Sequence, residues 1–162
     1  MQVLVCGGSA VGQVCLSLTG SAVAKDLSRA SFERKFVTGY LSRLHEKTPI
    51  TLVIAGEEGG AGSIGLNWAS ANNVEAMAWR RLMFPKSTLL FSLTSLANKQ
   101  RSSNHVMETF EARNARMLEG CKPDLVIAFG GGESTRLMLD LARGKGAKVV
   151  QVEIPEFAQA AA

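Results

Sequence analysis

The chain has few of the residues that staple, span or stack. Its 162 residues hold three cysteines, Cys6, Cys15 and Cys121. The number is odd, no CxxC occurs and no histidine stands at metal-ligand spacing. That argues against a disulfide framework or a zinc site and predicts reduced thiols in a cytoplasmic protein. No apolar stretch approaches the ~20 residues a membrane span needs. MQVLVCGG has no basic region ahead of its apolar run, so it reads as a first strand rather than a signal peptide. Aromatic residues make up 6%, too few for a nucleic-acid stacking platform. Positive charge is only mildly in excess, 18 Lys and Arg against 14 Asp and Glu for a net +4. It is scattered over Arg80-Arg81, Lys99, Arg101, Arg113, Arg116, Lys145 and Lys148 and forms no run. Neither nucleic acid nor a membrane is expected as partner. His45 and His105 are isolated, which leaves a metal site and a histidine triad without support. No cofactor is called for. Prolines number four, against sixteen glycines.

What is present is a core. Hydrophobic residues make up 46% and charged residues 20%, and this length fits one domain. Apolar runs at 2–6, 51–55, 74–79, 124–129 and 147–153 predict strands. Helical spacing over 28–46, with Ser28 or Ser31 as N-cap, and over 61–72, 106–119 and 134–143 predicts helices, the last two closed by Gly120 and Gly144. The alternation predicts an α/β domain over 1–154, Rossmann-like and three-layered, with a mostly parallel central sheet of about five strands. The connections 9–27 and 85–104 are longer than usual for such folds. A short tail follows at 155–162.

Eight glycines stand in turns after three of these strands: Gly7 and Gly8, then Gly56, Gly59 and Gly60, then Gly130, Gly131 and Gly132. In parallel sheets the ligand crevice lies beyond the carboxyl ends of the strands. Glycine there lets backbone N–H groups approach an oxyanion, and the following helix aims its positive end at the same place. Ser134 and Thr135 add hydroxyls. The pattern predicts a cradle for a phosphate-bearing ligand. The P-loop pattern GxxxxGK[ST], the GxSxG elbow and a GxGxxG after a strand are read as absent, so standard dinucleotide binding is not expected. Around the cradle, Ser9, Glu57, Ala61, Trp79, Arg113, Asn114 and Glu133 are candidate ligand contacts. Arg113 suits a phosphate through its fork of N–H groups, Asn114 and Glu133 suit base or ribose, and Trp79 suits stacking. Arg113 also reads as a solvated arginine near Glu108 or Glu111, and Trp79 as a half-buried core residue.

The segments VLVCGG, VIAGEEGGAGSIGLNWA, EARNARML and DLVIAFGGGEST together resemble the YspA-like proteins with the DUF2493 domain, a YpsA-related branch of the SLOG superfamily. The Lonely guy phosphoribohydrolases and the DNA-processing protein A fold are related. The resemblance runs from residue 1 to about 152 and leaves out the two long insertions. It implies a Rossmann-like sheet binding a nucleotide-derived molecule, such as an ADP-ribose-type signal in bacterial or phage defence, and a homo-oligomer. Three departures bear on chemistry. The middle turn, usually GGxxGAD in this family, is Gly56-Glu57-Glu58-Gly59-Gly60-Ala61-Gly62. Ser9 stands where arginine is common. Met138 stands at the catalytic glutamate of PGGxGTxxE and has no proton to transfer. Binding without catalysis is therefore expected. The alternative is a Lonely guy-like hydrolase of nucleoside monophosphates or ADP-ribose derivatives using Glu57, Glu58 or Glu133.

Overall fold

The computed structural model describes residues 1–15, 17–19, 21–57, 59–85 and 105–157. The chain runs β1 (Gln2–Gly7), α1 (Ser21–Lys47), β2 (Leu52–Gly56), α2 (Gly60–Ala71), β3 (Glu75–Trp79), β4 (Met83–Pro85), β5 (His105–Met107), α3 (Phe110–Cys121), β6 (Leu125–Phe129), α4 (Glu133–Gly144) and β7 (Lys148–Val152). Five strands form one sheet in the order β3-β2-β1-β6-β7. Every pair in it is parallel, with Val3 opposite both Val53 and Leu125. The expected Rossmann-like α/β fold is thus present. Among the described residues no helix is long and apolar enough to cross a membrane.

Strand alternation splits the core into two layers. Val3, Val5, Val53, Ile127 and Phe129 point to one face and pack with Val37 and Leu41 of α1 and Trp68 of α2. Leu4, Ile54, Val126 and Ala128 point to the other and pack with Met117 and Leu118 of α3 and Met138 and Leu139 of α4. The central strands are apolar on both faces because helices cover both. Trp68 satisfies its indole N–H on Ser42 Oγ at 2.9 Å. His45 is structural: its Nδ1 accepts the Ile50 amide at 3.1 Å where the chain leaves α1.

Three expected boundaries shift. Helix α1 begins at Ser21, seven residues before the expected start, so Ser28 and Ser31 are interior residues and not caps; the Ser28 hydroxyl donates to Ala24 O. The added turns are held by polar bonds that leave no apolar period. Asp26 accepts the Cys15 amide, Glu33 accepts the Gly12 amide, Arg29 bridges both carboxylates, and Arg34 donates to Gly12 O. Part of the 9–27 insertion is therefore helix. The helix expected over 106–119 starts only at Phe110, capped by Thr109 Oγ on Ala112 N, because β4 and β5 form an antiparallel pair that sequence periodicity does not reveal. It also runs through Gly120 to Cys121 and ends on a left-handed Lys122. Inside the helix, Gly120 leaves room for the Trp79 ring, which a Cβ there would approach to 2.9 Å. The insertion 85–104 lies, apart from Pro85, outside the described residues, as do 158–162 of the tail. Phe157, before that end, packs its ring 5.6 Å from Phe32.

The β4–β5 pair is tied to α3 by one carboxylate. Glu108, 7% exposed, accepts Arg116 Nε at 3.0 Å and Nη2 at 2.8 Å and the Leu82 amide at 2.9 Å. The hydrogen bonds from Arg116 hold its carboxyl below the usual range against the cost of burial.

Candidate functional site

The sheet grows from β1 through β2 to β3, then restarts on the other side of β1 with β6. The carboxyl ends of β1 and β6 are thus the point where direction reverses, the place where this architecture opens a crevice. A cavity of about 330 Å³ lies there. Buried Val5, Met117 and Met138 line it together with half-buried Cys6. The end of β1 contributes Gly7, Gly8 and Ser9, the β2–α2 turn Gly56 and Gly59, and the start of α4 Gly132, Glu133, Ser134 and Thr135. Helix α3 contributes Phe110, Arg113 and Asn114.

The decisive side chains are on α3 and α4. Arg113 is 6% exposed and Asn114 2%, so the reading of Arg113 as a solvated surface arginine is corrected. Arg113 Nε lies 3.1 Å from Asn114 Oδ1. Guanidinium only donates, so the amide oxygen must face it and the Nδ2 donor is left over. No described residue accepts from that Nδ2. Thr135, 7% exposed, likewise has no hydrogen-bond partner for its hydroxyl among the described residues. Among the described residues the one fully buried side-chain nitrogen or oxygen without a partner is Trp79 Nε1, so Asn114 Nδ2 and Thr135 Oγ1 open onto the cavity and, with the amino end of α4, offer donors to an acceptor-rich group.

Cys6 is not a nucleophile here. Burial pushes its thiol up to about 12, with the Arg113 charge opposing weakly. The thiolate that reacts is therefore absent at neutral pH. Among the described residues no three metal-ligating side chains cluster.

Ten of the sixteen expected contacts line this cavity: Gly7, Gly8, Ser9, Gly56, Arg113, Asn114, Gly132, Glu133, Ser134 and Thr135. The other six do not. Gly130 and Gly131 line a neighbouring cavity of about 390 Å³ with Arg136, Arg143 and Gln151. Gly60 and Ala61 are packing residues: a Cβ on Gly60 would run into the Gly8 carbonyl oxygen, and Ala61 Cβ lies 2.8 Å from where one on Gly7 would stand. Glu57 turns to Arg80, with Arg80 Nε 2.6 Å from Oε2. Trp79 faces α3, its ring 4.8 Å from the Arg116 guanidinium, and does not reach the cavity. Glu58 lies outside the described residues. Gly59, counted in the expected cradle, also lines the cavity, whereas sequence reasoning missed Phe110, Cys6 and Gly62; the first stood inside an expected helix with no pattern to single it out.

A GxGxxG run does exist, Gly60-Ala61-Gly62-Ser63-Ile64-Gly65, three residues past β2. Gly65 lets α2 sit on β1, where a Cβ would be 3.1 Å from Val5, and Gly62 lines the cavity. The standard dinucleotide mode still does not follow, because the Gly8–Ser9 backbone lies against Gly60 at the helix start where a pyrophosphate would sit. Compared with protein-family models, curated proteins and solved structures, the chain matches none.

Proposed function

We propose that the chain binds a nucleotide-derived small molecule, such as an ADP-ribose-type signal, at the β1–β6 crevice, and that it senses or sequesters the molecule without transforming it. The observation that carries this reading is that Asn114 Nδ2 and Thr135 Oγ1, on two largely buried residues, open onto a cavity at the amino end of α4 beside Arg113. Such an array suits an oxyanion. The motifs quoted above support assignment to the YspA-like branch of the SLOG superfamily, and an oligomer belongs to that assignment.

Catalysis has less support. Met138, which the resemblance aligns with the acid of the related hydrolases, is 2% exposed and carries no titratable group. Glu133 lines the cavity, but its side chain is 79% exposed, with Arg136 Nη2 at 3.7 Å. The test is thermal shift with ADP-ribose, AMP and ribose 5-phosphate, followed by mass analysis of ligand released on heating. Stabilisation with intact ligand recovered supports the proposal. No shift with any of them sinks it. Release of free base, abolished in Glu133→Gln, would establish the hydrolase instead.

A further inference from the structure

The buried polar side chains of the cavity are Arg113, Asn114 and Thr135. Arg113 only donates, and Asn114 has given its one acceptor to Arg113. With Asn114 Nδ2 donating and the Thr135 hydroxyl able to donate, the buried part of the site favours an acceptor-rich group such as an oxyanion. The mouth differs. Phe110 lines the same cavity and is 41% exposed. The Arg81 guanidinium lies 4.2 Å from its ring centroid and that of Arg113 5.7 Å. The ring is thus held in position next to the cation that faces the buried donors. An apolar ring at the rim and donors at depth impose a direction on any ligand that has both an anion and a planar ring.

Resting on the function proposed above, we infer that the ligand enters anion first, its oxyanion taken by Arg113, Asn114 Nδ2 and Thr135, and its heteroaromatic ring laid against Phe110 at the mouth. Phe110 is then the specificity-determining residue that distinguishes a nucleotide from a bare sugar phosphate.

The experiment is calorimetric titration of the full chain with AMP, ribose 5-phosphate and adenosine. The wild type is expected to prefer AMP over ribose 5-phosphate by roughly tenfold, the usual size of one base–aromatic stack. Phe110→Ala should bring that ratio to about one by weakening AMP far more than ribose 5-phosphate; Phe110→Tyr should restore it. Asn114→Asp places a carboxylate where the donor stood. It should weaken AMP and ribose 5-phosphate alike, by at least about tenfold, and leave adenosine unaffected. Phe110 is exposed enough for its truncation to fold, and circular dichroism checks this for each variant; Thr135→Val is the substitute if Asn114→Asp does not fold. An unchanged ratio in Phe110→Ala, or unchanged phosphate binding in both Asn114→Asp and Thr135→Val, overturns this inference alone. Failure of the wild type to bind either phosphate overturns the proposed function with it.

Discussion

At the scale of single residues, the site is defined by what is left over after packing. Asn114 spends its oxygen on Arg113 and keeps a donor. Cys6 keeps its proton because burial disfavours the thiolate. Cys15 is the opposite case: it is exposed, and the Ser17 hydroxyl bonded to its sulfur at 3.0 Å lowers its pKa. Brief alkylation with iodoacetamide at pH 8 should therefore label Cys15 and spare Cys6, read by peptide mass. The same residue sets an alkaline limit. The unfolded Cys6 thiol loses its proton from about pH 9, while the folded one holds it to about 12. The unfolded state then binds fewer protons, so stability falls as pH rises through that window. Urea unfolding at pH 8 and pH 10.5 should show a larger drop for the wild type than for Cys6→Ala.

At the scale of elements, α2 and the β1 turn are fitted backbone to backbone. Gly60 has φ +61°, and a Cβ there would overlap the Gly8 carbonyl oxygen. Gly60→Ala should cost about 2–5 kcal/mol from backbone strain and overpacking. Gly132, with φ −103° and nothing within 4 Å of a built Cβ, should accept alanine within about 0.5 kcal/mol. Urea denaturation of both variants checks the contrast. The strands of the sheet were legible because each is a short apolar run closed by a turn, and the glycines after β1, β2 and β6 marked the functional edge. The β4–β5 pair was not legible: three residues a side are too few for a period. Nor were the first turns of α1, held by Asp26, Arg29 and Glu33 rather than by an apolar stripe. For Trp79 the half-buried core reading holds and the ligand-contact reading does not. Its position at a strand end suggested the crevice, but its side chain packs instead against Gly120 and under Arg116 on α3.

At the scale of the whole molecule, the net charge is +4, and exposed cations such as Arg80 and Arg136 contrast with the cation of the site, Arg113, which is buried. Salt screens the first far more than the second. Binding of AMP should change less than about threefold between 50 and 300 mM NaCl by calorimetry, because a single buried contact releases few counterions. A nucleic-acid binder neutralising several phosphates loses orders of magnitude over the same range. Single-stranded DNA should accordingly not be retained at 150 mM NaCl in a filter-binding assay; salt-sensitive retention would restore the nucleic-acid reading.

The interlocked Gly8–Gly60 contact also sets how this pocket can change over generations. One wall is backbone pressed on backbone, so substitutions there are removed by loss of folding before they can alter what is bound. The opposite wall, at Gly132 on the way into α4, has space to receive a side chain. In a randomised library selected for a new ligand, successful variants should accumulate on the β6–α4 side and on Phe110, and almost none at Gly60. A fold arranged in this way diversifies its ligands from one edge only, keeping half of its recognition surface fixed.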